Sequence, residues 1–258
     1  MTPLKVHFKN LINRPLEMMG LELTRKDATE QNLIPHWYER LMHIKNLGFS
    51  PEVIFDCGAF KGRWTMMISK IFPNAQFVMM EPNKNLLDEI RANISGIRPA
   101  PLLLEIAVGE EFGKGHLNIW DNEETSIAGS SLLSHVQGEP ATRVEIEIHT
   151  LDMISNRTGF VPDLVKLDLQ GYEFAALQGA TNILQKSELF IIEFSCLEAY
   201  QDGASPRDLM DIMYDNHYVL YDVIDLHYRT FDGALCRGDF FFIKNDSFLR
   251  KYKGYSGR

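Results

Sequence analysis

The chain has 258 residues and a formal net charge of −9, with 45% hydrophobic and 24% charged residues, an ordinary globular balance. This length suits one α/β domain with a large core, or such a domain carrying an extension. The acidic balance argues against a broad phosphate-binding surface, so nucleic acid is not an expected partner and a small molecule is.

Residues 4–23 place Leu4, Phe8, Leu11 and Ile12 on one helical face before Pro15 interrupts. Such a helix packs on the body or on a second subunit, which would give a homodimer through the N-terminal helices; a membrane-surface helix is the alternative. Residues 24–32 are polar and charged, as in a linker. From Ile34 the apolar positions Trp37, Leu41, Ile44 and Leu47 recur at helical spacing, and Gly48 stops the helix. The expected division is therefore an N-terminal helical extension over 1–48 and the main domain over 49–258.

Val53, Ile54 and Phe55 form a short apolar run that ends in Asp56, Cys57 and Gly58 and passes through Gly62 into a helix with Trp64, Met67, Ile68 and Ile71 inward. Residues 76–80 form a second strand closed by Glu81, and Pro82 and Asn83 cap a helix facing inward through Leu86, Leu87, Ile90 and Ile94. Residues 102–108 read as a third strand. The alternation then lapses: residues 116–120 could be an added strand, residues 122–137 read as a long Ser, Thr and Gly-rich loop, and residues 144–148 as an edge strand with one wet face. Residues 164–167, ending at Asp168, and 189–194, containing Glu193, are further central strands. Ser205 with Pro206 and Asp208 starts a helix, and residues 218–224 and 239–243 close the sheet as a pair joined by a polar loop around Asp232 and Gly233. Strands alternating with helices give a parallel sheet whose ligands gather at the carboxyl ends.

The turn after the first strand is not the dinucleotide fingerprint. Asp56 stands where the first glycine of G-x-G-x-x-G belongs, and Gly62 comes one residue late. Gly58 lets the chain bend close to a ligand, Asp56 offers a carboxylate to an amine or hydroxyl, and Glu81 can accept both hydroxyls of a ribose. A ligand with a cationic amino-acid end and a ribosyl end satisfies both acids, and S-adenosylmethionine (SAM) is such a ligand. Asp168, at the tip of the strand expected beside that of Asp56, is the first candidate for a general base; orienting the cofactor or capping a helix is its other possible duty. Glu173 is a second candidate, against plain helix-dipole compensation, and Glu193, interrupting an apolar strand, is a third because a buried carboxylate needs a partner or a function. His116, His135, His149 and His227 are alternative bases, and Ser130 and Ser131 could bind cofactor or close over it. No metal signature stands out, although Asp168 could join another acid around Mg²⁺. Cys57, Cys196 and Cys236 form no C-x-x-C pair and no run approaches membrane-spanning length, so a reduced cytoplasmic protein with no membrane span is expected.

Asp56, Gly58, Gly62 and Glu81 resemble the SAM-dependent methyltransferases. Three further blocks, Gly129 to Leu132, Thr150 to Asp152, and Lys166 to Glu173 with Leu177, Gly179 and Ala180 behind, resemble the FkbM type. The resemblance spans roughly residues 50 to 245. It implies a Rossmann-like α/β fold with a mixed seven-stranded sheet, its last strand antiparallel, and helices on both faces. It also implies cofactor contacts from Asp56, Gly58, Ala59, Phe60, Gly62, Glu81, Pro82, Ala107, Val108, Ser131 and Asp168, and O-methylation of a sugar, glycan or natural product. Gln170 stands where many relatives carry an acid, which removes one conceivable base. A nicotinamide-dependent oxidoreductase and a non-catalytic SAM-binding interaction module are the alternatives.

Overall fold

The structure is a computed structural model whose described residues are 36–122, 127–134, 141–197 and 199–251. The chain divides into two units, Met1–Ile34 and Pro35–Arg258, and every described residue belongs to the second. The expected amphipathic helix, the linker, the dimer through them and His135 lie outside the described residues.

In chain order the elements are α1 (His36–Asn46), β1 (Val53–Cys57), α2 (Arg63–Ile71), β2 (Gln76–Met80), α3 (Leu87–Ile94), β3 (Leu102–Leu104) and β4 (Ala107–Val108). There follow β5 (Gly113–Asn122), β6 (Ile127–Ser131), β7 (Thr142–His149), α4 (Leu151–Thr158), β8 (Leu164–Leu167), α5 (Glu173–Gln178) and α6 (Thr181–Lys186). The chain closes through β9 (Leu189–Ser195), α7 (Pro206–Asp215), β10 (Tyr218–Tyr228) and β11 (Leu235–Lys244).

A seven-stranded sheet runs β10-β11-β9-β8-β1-β2-β3. β11 is antiparallel to both its neighbours and the other pairs are parallel, the mixed α/β sheet that the FkbM resemblance implies. β1, β8 and β9 are apolar runs because helices cover both sides of them. One face packs Phe55, Val165, Leu167 and Phe190 against Leu151 and Ile154 of α4, Leu177 of α5 and Met213 of α7. The other packs Ile54, Leu164, Ile191 and Phe241 against Leu41 and Ile44 of α1 and Ile68 of α2. α1, placed in the extension from sequence, is thus part of this core, while Leu47 turns outward and is 50% exposed.

Register sets the functional edge. Cys57 pairs with Met80 on one side and Leu167 on the other, and Leu167 pairs with Ile192. The next residue on each strand therefore stands in one row: Glu81, Gly58, Asp168 and Glu193, continued by Asp239, which pairs with Glu193.

The middle of the chain differs from its sequence reading. Residues 102–108 make two strands, because after Leu104 the chain leaves the main sheet and β4 pairs with β7. β7 is interior to a second, four-stranded sheet of order β4-β7-β5-β6, so its alternation does not mark an edge. Within residues 122–137, β6 pairs along β5; its small residues Ala128, Gly129, Ser130 and Ser131 carry little strand signal in sequence.

Candidate active site

A cavity of about 150 Å³ opens at the carboxyl ends of β1, β2 and β8, walled by β4 and β6 of the second sheet. Of the eleven residues expected at the cofactor, Gly58, Phe60, Glu81, Pro82, Ala107, Val108, Ser131 and Asp168 line it. Asp56, Ala59 and Gly62 do not. Ala59 packs in the small core of α3, and a side chain at Gly62 would meet Ile90 and Ile94 of that helix. Gly62 has φ of 71° and begins α2, so its glycine serves the turn. Asp56 is fully buried behind the cavity wall, accepting a hydrogen bond from the Thr65 hydroxyl at 2.6 Å and facing the Lys166 ammonium at 3.5 Å.

Gly58 is confined more tightly than a ligand alone requires. Its φ is 79°, and a Cβ there would fall 1.9 Å from the Asp168 carbonyl oxygen. The absence of a side chain lets the end of β1 lie against the end of β8, which brings Asp168 beside the bend. Across the bend Glu81, 3% exposed, accepts hydrogen bonds from the backbone N–H of Phe60 at 2.8 Å and of Asn83 at 2.9 Å. Burial pushes its carboxyl up to about 7, against the pull of those two donors, with Asp56 and Asp168 adding to the rise. Each carboxylate oxygen keeps a lone pair for a further donor, such as a ribose hydroxyl.

Asp168 occupies the middle of the acidic row. It accepts from the Lys166 ammonium at 3.1 Å and from the Gln170 amide at 2.9 Å. Burial opposes its charge, but Lys166 and these donors prevail and hold the carboxyl below its usual range. Lys166 is itself held above the ordinary lysine value: burial works against its charge, and Asp168 and Asp56 outweigh it. The ammonium also lies 5.7 Å from the centre of the Trp64 ring.

Glu173 and Glu193 do not line the cavity. Glu173 accepts from the backbone N–H of Leu169 at 2.7 Å and of Gly171 at 3.0 Å, so it staples the turn ahead of its own helix; burial lifts it to about 7. Glu193 accepts from Arg237 at 2.9 Å and from the Gln170 amide at 2.8 Å, and burial with Asp168 beside it raises it well above a free glutamate. Asp239, opposite Glu193, is likewise pushed to about 7, chiefly by burial. His116 and His227 are exposed and His149 is buried in the second sheet beside Glu147; none lines the cavity. Among the described residues no group of three or more His, Cys, Asp and Glu is placed to hold a metal.

Lys166, Gln170 and Tyr200 received no role from sequence. Lys166 carried a usable signal, a charge inside the otherwise apolar Leu164–Leu167 strand. Tyr200, which donates to Gln170 at 2.9 Å, carried none, because it is thirty positions away.

Residues 56–220 match the family described as Methyltransferase FkbM domain. The chain is similar to the 2-O-methyltransferase NoeI of Sinorhizobium fredii, 24% identical over 172 residues, which cover 62% of this chain and 70% of that protein. Among solved structures it is similar to M. capricolum TrmK in complex with S-adenosyl-homocysteine (SAH), at 12% identity and a TM-score of 0.48, covering 83% of this chain and 70% of that one. It is also similar to magnesium protoporphyrin IX methyltransferase from Synechocystis with bound SAM, at 10% identity and a TM-score of 0.47, covering 92% and 96%.

Proposed function

The chain belongs to the FkbM family of SAM-dependent methyltransferases, and from that premise we propose that it methylates a hydroxyl of a sugar, glycan or natural-product small molecule at the cavity between Glu81 and Asp168. The observation that carries this is that two carboxylates on strand ends either side of Gly58 face one cavity. Glu81 would take the ribose hydroxyls, and Asp168, across the cavity from it, would face the acceptor hydroxyl. Phe60, Pro82, Ala107 and Val108 supply apolar walls between them. Asp56 acts from behind, by fixing Lys166 and the start of α2 through Thr65. The 2-O-methylation named for the Sinorhizobium relative supports an oxygen acceptor.

When bound, SAM supplies a methyl group on a sulfonium sulfur. Asp168 would receive the proton that the acceptor hydroxyl gives up. A carboxylate held low by Lys166 is a weak base, but it is ionised throughout the neutral range, and a hydroxyl oxygen that has gained a methyl group is a strong acid. At about 150 Å³ the cavity is smaller than the roughly 300–1,000 Å³ of most ligand sites. The wall formed by β6 is an edge strand of the second sheet, tied by the Ser131 hydroxyl to the Gln170 carbonyl at 2.8 Å, and it would lift to admit cofactor.

The test is incubation of the full chain with SAM and a panel of neutral methyl glycosides, reading SAH release by mass spectrometry and the methylated position by NMR. SAH at about 100 times Kd should add roughly 2.7 kcal/mol, worth about 5–10 °C in melting temperature. A chain that neither shifts with SAH nor releases it, yet shifts with NAD, would return the nicotinamide alternative.

A further inference from the structure

Gln170 has no part in the reaction as proposed, yet it is held more firmly than a loop residue needs to be. Its φ is 55°, in the left-handed region that a non-glycine residue occupies at a cost, and Gly171 follows at 98°. Its Nε2 donates to Asp168 Oδ1 at 2.9 Å and to Glu193 Oε2 at 2.8 Å. Its Oε1 accepts from the Tyr200 hydroxyl at 2.9 Å, and its carbonyl oxygen accepts from the Ser131 hydroxyl at 2.8 Å. The partners fix which way the amide lies, since a flipped amide would aim its oxygen at two carboxyl groups.

The surroundings explain why an amide suits this place. Lys166 of β8 faces Asp168, with Asp56 of β1 on the far side of its ammonium; Arg237 and Asp239 of β11 face Glu193; Glu81, Glu173 and Tyr200 complete the titratable groups around the pair. Carboxyls therefore outnumber the two cations, Lys166 and Arg237. An acid at 170 would add one more carboxyl, and it could donate a single hydrogen bond only while protonated. The neutral amide donates two.

We propose that Gln170 is a positioning residue whose amide clamps Asp168 and Glu193 into one carboxyl pair, fixing the aim of Asp168 into the cavity and keeping its charge there. The inference rests on the reading of Asp168 as the proton acceptor. Tyr200 sets the amide from behind, and Ser131 links the clamp to the β6 wall, so cofactor entry and the carboxyl pair share one residue.

The test uses Gln170→Gly, which accepts the left-handed turn but removes the amide, and Gln170→Glu, which keeps its length. Carboxyl ¹³C NMR titration of the full chain, with and without SAH, reads Asp168 and Glu193 directly, with Asp168→Asn and Glu193→Gln assigning the signals. In both variants Asp168 should titrate at least about one pH unit higher, because donors to its ionised form are lost. SAH affinity should stay within about threefold, since the clamp acts on the carboxyls rather than on the cofactor. An unchanged Asp168 titration in a folded Gln170→Gly variant overturns the proposal, and so does a loss of SAH affinity parallel to the shift, which would make Gln170 a cofactor ligand. Should the glycine variant not fold, the same two readings on Gln170→Glu decide. Failure of the wild type to bind SAH would remove the methyl-transfer reading, while the titration without ligand still decides the clamp.

Discussion

At the scale of single residues the proposed function separates holding from reacting. Asp168→Asn keeps the size of the carboxylate but loses its charge and, with one acceptor oxygen left, one of the two hydrogen bonds it accepts, so SAH should still bind while turnover falls by about 10²–10⁴-fold; parallel losses of binding and turnover would assign Asp168 to the cofactor instead. Glu81 makes a pH-dependent prediction. Its carboxyl is raised to about 7 by burial, and ribose hydroxyls donating to its ionised form must first displace a proton at lower pH. SAH binding should therefore weaken below pH 7, approaching roughly tenfold per pH unit, with proton release visible by calorimetry in buffers of different ionisation heat. The dependence should vanish in Glu81→Gln, and a wild-type affinity that is flat from pH 5.5 to 8 would contradict it. Sequence alone already singles out Glu81 and Asp168, because an acid closing an apolar run has few structural uses. It cannot show that Asp56, an acid at the end of a similar apolar run but inside its strand beside Met79 and Lys166, stays out of the cavity lining.

At the scale of elements, the contact between the ends of β1 and β8 decides the geometry of the cavity. Gly58→Ala places a methyl group against the Asp168 carbonyl and forces a side chain into φ of 79°. It should cost at least about 2 kcal/mol and abolish SAH binding, measured by denaturant unfolding and calorimetry. The start of α7 offers a contrast. Ser205 and Asp208 form a reciprocal capping box with Pro206 in the first turn, as the sequence leads one to expect, far from the acidic row in function. Ser205→Ala should cost about 1 kcal/mol and lower the melting temperature by about 2–4 °C, leaving SAH affinity unchanged. Strand and helix periodicity make these elements legible. The second sheet is less so, since β4 has two residues and takes its place from β7, distant in sequence, while β6, although it folds back on the preceding β5, is built from small residues.

Across the whole molecule the buried carboxyls couple stability to pH. Glu81, Glu173 and Asp239 are each raised to about 7, chiefly by burial, from ordinary values of 4.5, 4.5 and 3.8. In the unfolded chain they ionise at those ordinary values, so between there and neutrality the folded protein holds protons that the unfolded chain has lost. Their contribution is fully present below about pH 4 and is lost as pH rises through 7, at about 1.4 kcal/mol per pH unit for each retained proton. Without ligand the melting temperature should be higher at pH 6 than at pH 8; a higher value at pH 8 would show that these groups are already ionised in the folded state.

What the sequence by itself determined was the alternation of strands and helices, the glycine bend and the acids at strand tips, because propensity, periodicity and turn chemistry are properties of neighbouring residues. The tertiary structure alone decided which acids share a row. Parallel pairing brings Gly58, Glu81, Asp168, Glu193 and Asp239 to one edge from positions up to 181 apart, and a shift of one residue in any strand would turn its side chain to the other face. Register is a relation between segments, and no local pattern encodes it. The clamp of Gln170 on two carboxyls and the concealment of Asp56 both follow from that register.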